Sequence, residues 1–217
     1  FHLVYRKLLN FCAVELSSIY FDISKDILYV ELPDSKKRRA NQTVQNELLN
    51  SLARLMAPIL CFTMEEIWQF IKKPGSIHTE RYYRLDDRFN NPDIEEKIEG
   101  LVNIKNDVLK ELEACRKDKM LKSSLEADIT IFVKDGKTKQ MMASMGPELT
   151  RFFQVASVTV TSDKQAGMRD YENASVSIKK TGGKKCVRCW NYFEAIGSDP
   201  DHPELCKRCT DIIKAMK

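Results

Sequence analysis

Four cysteines near the end of this chain constrain its fold more than any other feature. Cys186 and Cys189 make one Cys-x-x-Cys pair, Cys206 and Cys209 a second, and sixteen residues separate the pairs. Two such pairs about 15–20 residues apart present four thiolates to one tetrahedral ion. With all four positions filled by protein the ion is structural, because a catalytic zinc keeps a position open for water. One structural Zn2+ per chain is therefore predicted. Residues 182–217 carry few large apolar groups, so metal binding is expected to supply the folding energy of this tail. Apparent values in comparable peptides are about 10–16 kcal/mol. Two unrelated pairs, or a redox dithiol, is the competing reading. His202 lies between the pairs, but four thiolates leave it no position, and it reads as a loop residue.

Cys12, Cys61 and Cys115 sit singly inside helical apolar patterns, where a thiol behaves as a small hydrophobe. An odd total of seven cysteines points to a reducing cytoplasm and away from a disulfide framework. The hydrophobic share of 43% and charged share of 30% are those of a globular chain and exclude a disordered tail. A net charge of +4 demands no anionic partner by itself, so any such partner has to be argued from clustered charge. No apolar run reaches the roughly 18 residues of a membrane span. The first residues already lie inside an amphipathic pattern, without an initiating Met or signal architecture, and predict a fragment of a longer chain.

Along residues 2–21 apolar groups recur at helical spacing, and "FDISKDILYVELPDS" then breaks the period, with Pro33 and Asp34 marking a turn. Asp34 or Ser35 is placed to cap a helix over 36–57. Thr63 with Glu66 three residues later spells a capping box for a short helix. Asn91 and Pro92 suit the cap and first residue of a long helix to about 119. The character then changes. "ADITIFV" (127–133), "ASVTVTS" (156–162) and "ASVSIKK" (174–180) alternate and are rich in β-branched residues, as strands are. Gly182-Gly183 reads as a flexible joint to the cysteine tail.

Two further stretches carry weight. Lys36, Lys37, Arg38 and Arg39 fill the first turn of a predicted helix, where the macrodipole favours acids. Either this is a solvated face, or an anionic partner supplies the missing negative charge. Arg81, Arg84 and Arg88, interleaved with Tyr82 and Tyr83, are a weaker case. Trp190 directly follows the first cysteine pair, with Arg188 beside it. Its ring either packs on the metal core or faces outward as a platform for a base, worth about 1–3 kcal/mol per base stacked. Lys184, Lys185, Lys207 and Arg208 surround the ligands. No acid/base dyad, nucleophilic triad or glycine-rich phosphate loop emerges, and no catalytic residue is assigned.

Taken in order, "FCAVELSSIYFDISKDILYVE", "RRANQTV", "LARLMAPILCFTMEEIW", "KSSLEADITI" and "CVRCWNYFEAIG…ELCKRC" resemble the C-terminal part of bacterial isoleucyl-tRNA synthetases. The likeness is colinear over essentially the whole chain. It implies an α+β, mainly α architecture in three parts: a helical anticodon-binding bundle over 1–122, truncated at its N-terminus; a small α+β domain over 123–181; and a zinc-ribbon-like tail over 182–217. It also implies that the parent is an isoleucine-tRNA ligase. ATP and catalysis belong to a core absent from these residues. The partner implied is isoleucine tRNA, with no DNA and no membrane, a monomeric parent and a cytoplasmic location. Candidate RNA contacts are Arg38, Arg39, Arg188 and Trp190, with Lys36 and Lys37 beside them. "KMLKS" (119–123) mimics the family's ATP-gripping Lys-Met-Ser-Lys-Ser loop. It has Leu121 in place of Ser, lies downstream of the anticodon region, and has no His-Ile-Gly-His partner motif. Lys119 and Lys122 are accordingly read as helix-end cations. A stand-alone nucleic-acid-binding zinc module, or a zinc-dependent protein-interaction clasp, is the rival reading.

Overall fold

The computed structural model describes residues 1–82 and 86–216; Tyr83, Arg84 and the side chain of Arg88 lie outside the described residues. The chain divides into two compact units, Phe1–Asn90 and Asn91–Lys217. The architecture is α+β and mainly helical, with the cysteine pairs brought together in a small terminal module, as the sequence predicts.

The first unit is helical. Helix α1 (His2–Asn10), a π-helical stretch (Phe11–Phe21) and α2 (Asp22–Val30) run on without a break. The sequence reading ended this helix near residue 21; in the structure it continues to Val30, because nothing before the Leu32-Pro33 step removes a backbone bond. Glu31 then turns extended (ψ 157), and Pro33 disfavours helical backbone at the residue just before it, Leu32. Helix α3 (Lys36–Met56) opens at Ser35, whose hydroxyl accepts the Arg38 amide at 3.2 Å. Helix α4 (Cys61–Phe70) starts two residues before Thr63, with Leu60 as its N-cap and no side-chain cap. The predicted capping box is thus not formed, since Thr63 is already inside the first turn. Glu65 on α4 instead accepts the Ser76 hydroxyl at 2.7 Å and the Ile77 amide at 3.1 Å. Those bonds bring Ile77 into a core with Ala53, Ala57, Met64 and Trp68.

The second unit begins with α5 (Pro92–Lys117), capped by Asn91 with proline in its first turn. It packs on a four-stranded sheet ordered β2-β1-β4-β3. The strands are β1 (Ala127–Phe132), β2 (Ser157–Thr161), β3 (Arg169–Asp170) and β4 (Ser175–Lys180). β1 runs parallel to β2 and antiparallel to β4. The parallel pair needs a crossover, which α6 (Gly136–Met145) and α7 (Glu148–Phe153) provide. Asp107, fully buried on α5, fastens the loop before β4 by accepting the Asn173 amide at 2.7 Å and side chain at 3.1 Å.

The "KMLKS" run is where α5 stops. Lys119 adopts a left-handed φ of 58°, the Met120 amide returns to the Cys115 carbonyl, and the Lys119 amide to Arg116. That pair of bonds is a Schellman cap. Leu121, the residue that departs from the ATP loop, is buried in the core. Local helix termination accounts for the whole segment.

Candidate metal centre and its basic surround

The cysteine module consists of a hairpin of β5 (Lys184–Lys185) and β6 (Tyr192–Phe193), a loop, and α8 (Lys207–Ala215). Gly183 is more than a joint here. A Cβ on it would lie 2.9 Å from the Phe193 carbonyl carbon, so only glycine lets the hairpin close. At the first knuckle the Cys186 amide donates to Asn191 and the Trp190 amide to Cys186, both at 2.9 Å. At the second, Cys206 is the N-cap of α8, which places Cys209 in its first turn.

All four sulfurs lie within 4.8 Å of one another. The Cys189 and Cys206 sulfurs are 3.8 Å apart. A tetrahedron with Zn–S bonds of about 2.3 Å has an edge of about 3.8 Å, whereas a disulfide needs about 2.05 Å. The donor set therefore fits one four-thiolate ion and no disulfide. Cys186, Cys206 and Cys209 are buried and Cys189 is half-buried. Backbone amides orient the sulfurs: that of Cys206 donates to the Cys186 sulfur at 3.4 Å, and that of Asn191 to Cys189. Hydrogen bonds from the Cys189 and Cys206 thiols, against the effect of burial and with help from Arg188, hold the Cys209 thiol well below its ordinary range. Sharing its proton with Cys206 and Cys209 pushes Cys189 up. Four thiolates at this spacing repel one another, and a divalent cation lets all four ionise. His202 lies in the loop, its amide bonded to Asp199, outside the cysteine cluster.

The candidate RNA contacts divide by environment. Arg188 reaches inward, its guanidinium 3.8 Å from the Cys209 sulfur. Trp190 reaches outward: 63% of it is exposed, its φ is +65°, and the Lys185 ammonium stands 5.3 Å from the ring centre. The packing reading of this ring is not what is observed. Among the four cations opening α3, Arg38 is half-buried and donates to the Glu31 carbonyl at 3.1 Å, closing the end of α2. Arg39 is exposed and donates to Gln42, and Lys36 and Lys37 are exposed. Sequence reasoning missed the Lys185–Trp190 contact. It also missed the bond from the Tyr192 hydroxyl to Glu126 at 3.3 Å, which ties the cysteine module to the start of β1. Sixty-six residues separate those two partners, and no local pattern signals the pairing.

Comparison with known proteins agrees with this geometry. Residues 1–131 match the family described as the anticodon-binding domain of tRNA ligase. Residues 183–212 match a zinc finger found in FPG and IleRS. The isoleucine–tRNA ligase of Brachyspira hyodysenteriae is 38% identical over 216 residues, which cover 99% of this chain and 23% of that protein. That of Syntrophotalea carbinolica is 36% identical over 98% of this chain and 23% of its own length. That of a Nostoc species is 37% identical over 92% and 22%. The chain thus spans about a quarter of the length of the curated relatives it matches.

Proposed function

The chain belongs to the family of anticodon-binding domains of tRNA ligases, and from that premise we propose that it holds the anticodon stem-loop of isoleucine tRNA for a parent isoleucine-tRNA ligase. The parent joins isoleucine to its tRNA at the expense of ATP in a core outside these residues, in the cytoplasm. The fragment itself supplies binding and orientation and has no amino-acid-dependent ATP–pyrophosphate exchange. One structural zinc, held by Cys186, Cys189, Cys206 and Cys209, folds the terminal module.

The observation that carries the reading is the exposed Trp190 ring. A non-glycine residue in the left-handed region costs about 1–3 kcal/mol, and a ring two-thirds exposed returns little of that through burial. Such strain at a surface aromatic has a use if the ring is a platform for an unstacked base, the way proteins read single-stranded RNA loops. Lys185 covers part of the ring by a cation–π contact. It acts as a positioning residue and keeps positive charge near the flanking phosphate. Lys36, Lys37 and Arg39 suit phosphate contacts, which set register without reading sequence. Arg38 and Arg188, both committed to the protein's own groups, support the surfaces on which the others act.

Competition binding tests this reading. The chain should prefer the anticodon stem-loop of isoleucine tRNA over an unrelated tRNA and over duplex DNA; equal retention of all three would refute it. Trp190→Gly relieves the backbone, so the fold should keep its stability to within about 1 kcal/mol. RNA affinity should fall by about 1–3 kcal/mol. Undiminished affinity would remove Trp190 from the interface.

A further inference from the structure

A cleft of about 450 Å³ lies between the β2 edge of the sheet and the cysteine module. Tyr192 and Phe193 of β6 both line it; as neighbours on one strand they turn their side chains to opposite faces, and the Tyr192 ring is the one directed to the start of β1. Also lining it are Ala156, Ser157 and Asp128, from the β1–β2 edge, and Lys207 and Arg208 lie where α8 begins. Tyr192 is anchored through its hydroxyl to Glu126, while Phe193 remains partly exposed. Asp128 accepts the Ser157 hydroxyl at 2.6 Å on one carboxylate oxygen, and a carboxylate has acceptor capacity beyond that single bond. Lys207 is almost wholly exposed, with a long 3.5 Å contact to Asp211.

Chemistry narrows the occupant. Asp128 and Glu194 both line the cleft, so a free phosphate or other small anion meets carboxylates and is disfavoured. A neutral, flat, aromatic group with N–H donors on its edge meets the Tyr192 ring to stack on and a carboxylate to bond. Unstacked RNA bases are taken up on aromatic faces with hydrogen bonds to their edges. The cations at the start of α8 then sit where the flanking backbone would carry its charge, at a helix end whose dipole favours anions. We propose that this cleft takes one unstacked nucleobase of the bound RNA, held against the Tyr192 ring and read by Asp128 through an amino or imino edge. The site is separate from the exposed Trp190 ring, which does not line it, and the proposal rests on the RNA-binding reading above.

Two variants of the full chain test it, each first checked for bound zinc and an unchanged circular dichroism spectrum. Ala195→Trp fills the cleft from an exposed position. Asp128→Asn keeps size and the Ser157 bond but turns part of the acceptor into a donor. Both should weaken binding to isoleucine tRNA, the first by about tenfold and the second by about three- to tenfold. Asp128→Asn should leave the salt dependence unchanged, since it removes no phosphate contact. Chemical probing of the Watson–Crick edges should find one base protected by the unaltered chain and reactive with Ala195→Trp. Unchanged affinity and an unchanged protection pattern in both variants would overturn the site. If Trp190→Gly then still weakens binding, the cleft alone fails; if it too has no effect, the RNA-binding reading fails with it. Should Ala195→Trp not fold, Asp128→Asn decides by the same criteria.

Discussion

The helical unit and the cysteine module reach stability by different routes. The first buries a compact apolar core, in which Trp68 is 1% exposed beside Ala53, Met64 and Ile77. The module spans about thirty residues, and its most buried groups are three of its four cysteines together with Leu205, Thr210 and Ile212. Burying an apolar side chain contributes about 1.5–3 kcal/mol, so a handful of them cannot order thirty residues against conformational entropy of about 1–2 kcal/mol each. Where apolar area is insufficient, metal coordination closes the difference. The contrast explains why the module can expose its largest side chain while the helical unit must hide its own.

Chelation breaks the comparison most sharply. Removing the ion, or replacing Cys209 by Ser, should unfold residues from about Lys184 onward. The loss corresponds to about 10–16 kcal/mol of apparent metal-binding energy. NMR spectra should lose the dispersed signals of the module and retain those of the first unit. Retained dispersion in both would mean that the module has a core of its own. Trp68→Ala is the converse. It removes a buried ring that also carries the Arg54 guanidinium 4.5 Å from its centre, and should cost the helical unit about 3–5 kcal/mol. Zinc content, measured by metal analysis, should be unchanged.

A third, smaller effect concerns pH and the sheet-bearing part of the second unit. Burial pushes the Asp107 carboxyl up, but hydrogen bonds from Asn173 and Lys110 outweigh it and leave the group below its ordinary range. A depressed carboxyl contributes stability that is fully present above the unfolded aspartate pKa of about 3.9. That contribution is lost as the pH falls through the lower folded value. Asp107→Asn should flatten acid unfolding in this window; an unaltered acid limb would show that other carboxylates govern it. The smallest contrast lies between neighbours. Arg38→Ala forfeits the bond to Glu31 and should destabilise the helical unit by about 1 kcal/mol. Arg39→Ala should leave stability unchanged and reduce the salt dependence of tRNA binding by about 0.7–0.9 log units per lost phosphate contact. Identical behaviour of the pair would erase the distinction drawn between them.

What the sequence disclosed follows the range of the interactions. Cysteine spacing, the Ser35 and Asn91 caps and the three long strands depend on residues within a few positions of each other, and all could be read directly. Thr63 misled because a capping box is only a local possibility, and the chain had already turned helical at Cys61. The continuation through Asp22–Val30 was missed although Ile23, Ile27 and Val30 keep helical spacing, because the π-helical turns over Phe11–Phe21 shift the phase of the apolar face. Arg38 and Arg39 are indistinguishable as letters; only the position of the Glu31 carbonyl sends one inward. The Tyr192–Glu126 bond and the cleft it borders need a folded chain to exist at all.

The most direct test is a titration of this chain with isoleucine tRNA in three states: zinc-loaded, stripped by chelator, and reloaded. Tight binding that disappears with the metal and returns with it, alongside weak binding of an unrelated tRNA throughout, is the predicted result. Binding that is indifferent to the metal, or equal for both RNAs, would contradict the account.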